Sequence, residues 1–394
     1  MTKHLDTVLL HTGSAPFDSE TGSAAVSVSP VRASTVRFRD IAALEQAQKR
    51  KAAGERAITY GRSGMDSHRA LEDAFMTLEQ GSYCCLTPSG MAAISMAFLS
   101  LVKTGDHALV SDNVYGPMRL FEQVMLRRLG IEVTYFSAKD DVSALVRPNT
   151  RLIYVESPGS LLIEMLDVPA LAEVARRHDL VLAVDTTWGS GYIYRPLELG
   201  AHVSVIAGTK YVAGHSDLML GAVVSNDEAI SAKIRETQYA LGNSLSADDA
   251  WLALRGLRTM PVRMAQHARS GLQVAEYLES RDDVARVYHP ALPSDPGHAL
   301  WQRDCTGSNG LLSFELKRPQ EAGRIVADAL ELYSIGFSWG GFESLVQWVD
   351  PKTLSSHGYW TPSDNPFLRL HIGLESVDDL IADLGQALDR AAAM

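Results

Sequence analysis

From Ser67 to Ile206, short, mostly apolar strand-like runs alternate with helical patterns, and this rhythm narrows the possible folds more than any other feature. The runs fall at 83–87, 107–111, 132–136, 151–156, 180–185 and 203–207, and the helical patterns at 67–79, 90–103, 116–129 and 168–178. A strand that is apolar at every position must be covered on both faces, which parallel sheets achieve by carrying their crossover helices on either side. The expectation is an α/β large domain: a mostly parallel, seven-stranded sheet closed by a hairpin-like segment around 219–225. Beyond about 250 the rhythm changes. A long helical stretch at 261–281, short strands at 286–289, 310–316 and 367–372, and helices at 319–330 and 376–392 predict a smaller α+β C-terminal domain. Residues 1–58 carry one helical pattern, Ile41 to Ala47, and read as an arm, giving a division into 1–58, 59–250 and 251–394.

Bulk properties remove several classes of function. At 394 residues the chain has ample length for a core. A net charge of −11 without a long Lys or Arg block argues against nucleic acid and anionic membrane as partners. The N-terminal residues lack an apolar signal core, and no stretch approaches the roughly 18 apolar residues of a span, so the cytoplasm is expected. Cys84, Cys85 and Cys305 form no CxxC pair and read as buried free thiols. The 12 histidines show no HExxH or other ligand spacing, so no metal is expected. Gly189-Ser190-Gly191-Tyr192-Ile193-Tyr194 breaks the GxGxxG pattern at Tyr194, and no GxxxxGK[ST] loop occurs.

Two strand ends carry the chemistry. Val203 to Ile206 leads through Ala207-Gly208-Thr209 to Lys210, and Leu180 to Val184 ends on Asp185. Ends of neighbouring parallel strands share one rim of the sheet, so this lysine and acid can face one bound ring. Pyridoxal phosphate needs such a pair: a lysine for a Schiff base, and an acid that keeps the pyridine nitrogen protonated. Taken singly, the same residues also suit a solvated lysine and a helix-capping aspartate. Ser89-Gly90-Met91 opens a helix after a strand, where free N–H groups and the positive helix end suit a phosphate. An ordinary strand-turn-helix joint looks the same. Arg369 and His371 alternate onto one strand face, and Arg369 there calls for an anion, either a ligand or an internal partner.

The strings DTTWGSGY and TKYVAGHSDLMLGAVV resemble the Cys/Met-metabolism branch of the fold-type I pyridoxal-phosphate enzymes. The resemblance continues through PVRASTVRF, YGRSG, SGMAA, DNVYGP, ESPGS, SWGGFESL and FLRLHIGLE. Within that family the chain is most similar to the bacterial cystathionine β-lyases. The resemblance implies that Lys210 is the cofactor lysine and Asp185 the partner of the ring nitrogen. Ser89, Gly90, Met91 and Thr209 would hold the phosphate, and Tyr115 would stack on the ring. Tyr60 and Arg62 would reach the phosphate of a neighbouring subunit, making the protein a homo-oligomer, a tetramer built as a dimer of dimers. Tyr115 and Tyr60 join Lys210 as catalytic residues. Arg369, Ser338, Trp339 and Phe337 would form the substrate site.

The reaction implied is α,β-elimination on L-cystathionine, giving homocysteine, pyruvate and ammonia, within transsulfuration and methionine biosynthesis. The alternative is a related γ-lyase or γ-replacement enzyme acting on methionine, cysteine, an O-acylhomoserine or a canavanine-like amino acid. A non-catalytic cofactor-binding module is the third class. Phe337 stands where many γ-acting relatives carry Glu, which favours β-chemistry. Ser63 and Leu120 stand where enterobacterial β-lyases carry Arg and Asp, so the groups expected at the distal end of cystathionine are missing. Arg119 is one possible substitute.

Overall fold

The computed structural model describes residues 3–393. Seven strands build the large sheet: β1 Tyr83–Thr87, β2 His107–Ser111, β3 Glu132–Phe136, β4 Thr150–Glu156, β5 Val181–Asp185, β6 Val203–Ile206 and β7 Gly221–Ser225. Their order is β1-β7-β6-β5-β4-β2-β3, with β7 alone antiparallel to its neighbours. The apolar runs are explained by where successive side chains go. Leu182 and Val184 enter one core, which includes Leu71, Phe75 and Leu78 of the helix Asp66–Glu79. Ala183, Val203 and Val205 enter another, which includes Met96, Ala97 and Phe98 of the helix Gly90–Leu101. Each fully buried Leu or Phe in these cores contributes about 1.5–3 kcal/mol.

Five strands form the second sheet: β8 Val284–Tyr288, β9 Leu311–Leu316, β10 Ser334–Ile335, β11 Leu345–Val349 and β12 Phe367–His371, in the order β10-β11-β12-β9-β8. Arg369 therefore sits on the middle strand. The helix Ala247–Glu279 joins the lobes, packing on the helix Asp66–Glu79 and on the helix Val377–Ala392. No helix among the described residues is long and apolar enough to cross a membrane.

Several local expectations need correction. The segment 219–225 is no hairpin: it is the single strand β7, inserted between β6 and β1. The helix expected over 116–129 is α-helical only at Pro117–Phe121 and widens into a π-helical turn at Glu122–Leu126. The long helix begins at Ala247, capped by Ser246, and runs through Pro261 instead of starting there. Arg263 bridges the turn before that proline, donating to Gly256 O at 2.8 Å and to Thr259 Oγ at 3.1 Å. Helices at Glu228–Leu241 and His298–Asp304 and strand β11 were not anticipated.

Candidate functional site

Because β1, β2, β4, β5 and β6 run parallel, their C-terminal ends open onto one rim. Ser89, Tyr115, Glu156, Asp185 and Lys210 all follow or end these strands. The turn carrying Lys210 is fixed on both sides. Thr209 is locked to Leu220, its hydroxyl accepting from Leu220 N–H at 2.9 Å and donating to Leu220 O at 3.1 Å. Gly214 N–H donates to Lys210 O at 2.8 Å, and its φ of +68° is one that glycine adopts without strain. The Lys210 amine lies 2.6 Å from Ser338 Oγ and 5.2 Å from the centre of the Trp339 ring. Burial, aided by the Arg369 charge and opposed by Asp185 and Glu156, brings its ammonium down to about 8.

Asp185 is buried at the end of β5 and receives three donors: Thr187 N–H at 2.9 Å, Thr187 Oγ at 2.6 Å and Tyr154 OH at 3.3 Å. Glu156 stands beside it in register on β4, accepting from Tyr115 N–H and from Ser160 Oγ, both at 2.6 Å. Two carboxylates this close cannot both ionise cheaply. Burial first, and then the Asp185 charge, push Glu156 well above the usual carboxylate range. Burial raises Asp185 as well, while its three donors and Lys210 pull it down. Both carboxyls are thus raised, Glu156 well above its ordinary range.

The small lobe supplies the other wall. Ser338, at φ +86°, presents its hydroxyl to Lys210 and its carbonyl to Arg369, whose Nη2 donates at 3.1 Å. Burial lowers the Arg369 guanidinium to about 10, which leaves it charged at neutral pH. Phe337 points to solvent at 85% exposure. The chain does not bring Tyr60 and Arg62 to this rim. They line a separate surface cavity of about 580 Å³ with Val31, Ser34, His68 and Asp248, and the Arg62 guanidinium lies 5.1 Å from the Tyr239 ring. Sequence reasoning missed Glu156, Tyr154 and Thr187. The alternating Arg369-Leu370-His371 did point to His371, but not to what it touches.

The residues present fit pyridoxal phosphate. Ser89 Oγ accepts from Ala92 N–H at 3.1 Å, while the amides of Gly90 and Met91, at the helix start, lie outside the intrahelical ladder. A Cβ on Gly90 would stand 2.5 Å from the Ala207 Cβ, so this glycine is what lets the helix N-terminus approach the Lys210 turn. Capture of the aldehyde needs the free amine of Lys210. Its rate with cofactor-free protein is expected to climb about tenfold per pH unit below pH 8 and level off above it. Arg369→Gln removes a neighbouring positive charge and moves that midpoint upward. Stopped-flow absorbance measures both, and a midpoint above about 10 in the unaltered chain contradicts the assignment.

Comparison with known proteins identifies the family. The family described as Cys/Met metabolism PLP-dependent enzyme matches residues 6–389. A protein of Bordetella avium named cystathionine beta-lyase is 66% identical over 390 residues, covering 99% of this chain and 98% of that one. Cystathionine beta-lyase MetC of Escherichia coli K12 is 39% identical over 396 residues, covering 98% and 99%. The crystal structure of cystathionine gamma-lyase from Lactobacillus plantarum complexed with L-serine superimposes with a TM-score of 0.88 at 31% identity, covering 99% of this chain and 100% of that one. The chain belongs to the Cys/Met-metabolism family of pyridoxal-phosphate-dependent enzymes.

Proposed function

We propose that this enzyme is a carbon–sulfur β-lyase that takes L-cystathionine and water to homocysteine, pyruvate and ammonia. The observation that carries the reading is the likeness, end to end, to the Bordetella avium protein of that name. The rim supports it by setting a loosely protonated lysine beside an arginine that has no carboxylate partner among the described residues. When bound, the cofactor supplies an electron sink for the pair left at the substrate Cα. Asp185, held by Thr187 and Tyr154, is the group that would keep the ring nitrogen protonated. The Gly90 and Met91 amides with Ser89 and Thr209 would hold the phosphate, and Tyr115, anchored through its N–H to Glu156, would cover the ring. Arg369 would bind the substrate α-carboxylate, with Ser338 and Trp339 closing over the amine and Phe337 at the mouth. Lys210, whose amine sits at the Ser338 hydroxyl, would act as the base toward the α-proton.

Tyr60 and Arg62 enter this scheme from a second copy of the chain, so the proposal includes a homodimer, paired again into a tetramer. Its compartment is the cytoplasm, in keeping with three unpaired thiols, Cys84, Cys85 and Cys305. The distal pocket is weakly charged in this chain. Leu120 is exposed, Ser63 Oγ accepts from Lys51 Nζ at 3.2 Å, and the Arg119 guanidinium is engaged by Asp112 O at 2.8 Å and stacked 4.1 Å from the Tyr135 ring centre. Incubation with a panel of sulfur amino acids, identifying the keto acid, tests the reading. Pyruvate from cystathionine is expected, with less than about a hundredfold preference in kcat/KM over shorter thioether amino acids. Production of 2-oxobutyrate instead would transfer the enzyme to the γ-lyases.

A further inference from the structure

We propose that His371 is a positioning residue for Lys210: it fixes the turn that carries Ser338 and Trp339, independently of the arginine assigned to the substrate. The inference rests on the roles given above to Lys210 and Arg369. Both residues project from the same face of β12 and grip the same loop. Arg369 Nη2 donates to Ser338 O at 3.1 Å, and Gly340 N–H donates to His371 Nε2 at 3.1 Å. The loop needs holding, because Ser338 and Gly340 lie at φ +86° and +90°, and a non-glycine residue there costs about 1–3 kcal/mol. It also lies directly on the lysine: a Cβ on Gly340 would stand 2.9 Å from the carbonyl carbon of Lys210.

The two grips respond differently when a carboxylate arrives. A guanidinium prefers a carboxylate to a neutral carbonyl, so substrate draws Arg369 away from Ser338 O. His371 has no such competitor. It is 1% exposed and packed against Tyr211, edge-on, and His267, tilted, with ring centres 6.0 and 5.3 Å away. His267 is tied in turn through Nδ1 to Ile372 O at 2.9 Å. Burial keeps His371 neutral, with its pKa down at about 3. With the proton on Nδ1, Nε2 accepts from Gly340. The other tautomer donates to Gly341 O, also at 3.1 Å. The ring grips the loop in either form, and holds Ser338 Oγ at 2.6 Å from the amine while Arg369 is occupied.

A glutamine amide reaches the position of Nε2 and offers both an acceptor and a donor; asparagine falls one carbon short. In the full-length holoenzyme, His371→Asn and His371→Leu are expected to lower kcat about tenfold or more with KM changed less than about threefold, whereas His371→Gln keeps kcat within about threefold. A second readout does not use turnover. Trace acetylation of cofactor-free protein across pH, read on the Lys210 peptide, has its midpoint near 8 in the unaltered chain. In the Asn and Leu variants it moves up by about half a unit or more, because a loosened loop readmits water to the amine. Equal kcat for Gln and Asn, a loss confined to KM, or an unmoved midpoint in His371→Asn overturns the proposal. If the Leu variant does not fold, the Gln and Asn pair decides. An active Lys210→Ala enzyme would instead overturn the underlying site assignment, whereas an inactive one beside fully active His371 variants overturns this inference alone.

Discussion

Lys210→Ala is expected to lower turnover about 10⁴-fold or more while leaving the protein folded. The fold tolerates the change because burial already disfavours the charged amine, and its one side-chain hydrogen bond is to Ser338 Oγ. Losing that bond costs about 0.5–1.5 kcal/mol, against which the relief of a desolvated charge works in the other direction. The cofactor is expected to remain bound without a covalent link, held by Asp185, the Gly90 and Met91 amides and Tyr115, since none of these depends on the lysine. Absorbance, thermal melting and keto-acid release on one preparation separate the three consequences. Activity within about tenfold of the unaltered enzyme would show that another group performs the proton transfer.

The parts of the site legible in the sequence are those that chain direction alone determines. Parallel strands end on a common rim, so the sequence alone pairs Lys210 with Asp185. Glu156 is different. Its meaning comes from the β4–β5 register that sets it beside Asp185, and from the loop that returns Tyr115 N–H to it. A lone acid at a strand end carries no trace of either. His371 lies between these cases, since alternation along β12 gave its face but not its partner Gly340.

The fold shows the same division. The large sheet was readable because burial on both faces leaves a continuous apolar signal. The insertion of β7 between β6 and β1 was not, because antiparallel pairing across a long connection leaves no local mark. The expected stretch 261–281 opens on Pro261, and proline suits a first helical turn. In the folded chain Arg263 bridges the turn ahead of that proline, and the helix continues from Ala247.

Tyr60 and Arg62 give the second large effect, because their side chains lie away from Lys210 within one chain yet are assigned to its phosphate. Among the described residues Arg62 has no carboxylate partner, and its guanidinium lies 5.8 Å from the Tyr60 ring and 5.1 Å from the Tyr239 ring. Arginine suits a shared phosphate because its planar fork holds a dianion bidentately and keeps its charge at any working pH. Arg62→Ala alone and Lys210→Ala alone are each expected to be nearly inactive. Refolded together, they form a hybrid in which one site takes Lys210 from the first chain and Arg62 from the second, while the other site lacks both. Random pairing makes half the dimers hybrid and half the sites in each hybrid intact, so activity should return to about a quarter of the unaltered enzyme's. Mass spectrometry of differentially tagged chains establishes that hybrids form, and the keto-acid assay reads the recovery. Confirmed hybrids without recovered activity would mean that each site is built from a single chain, and that Arg62 serves the fold of its own subunit instead.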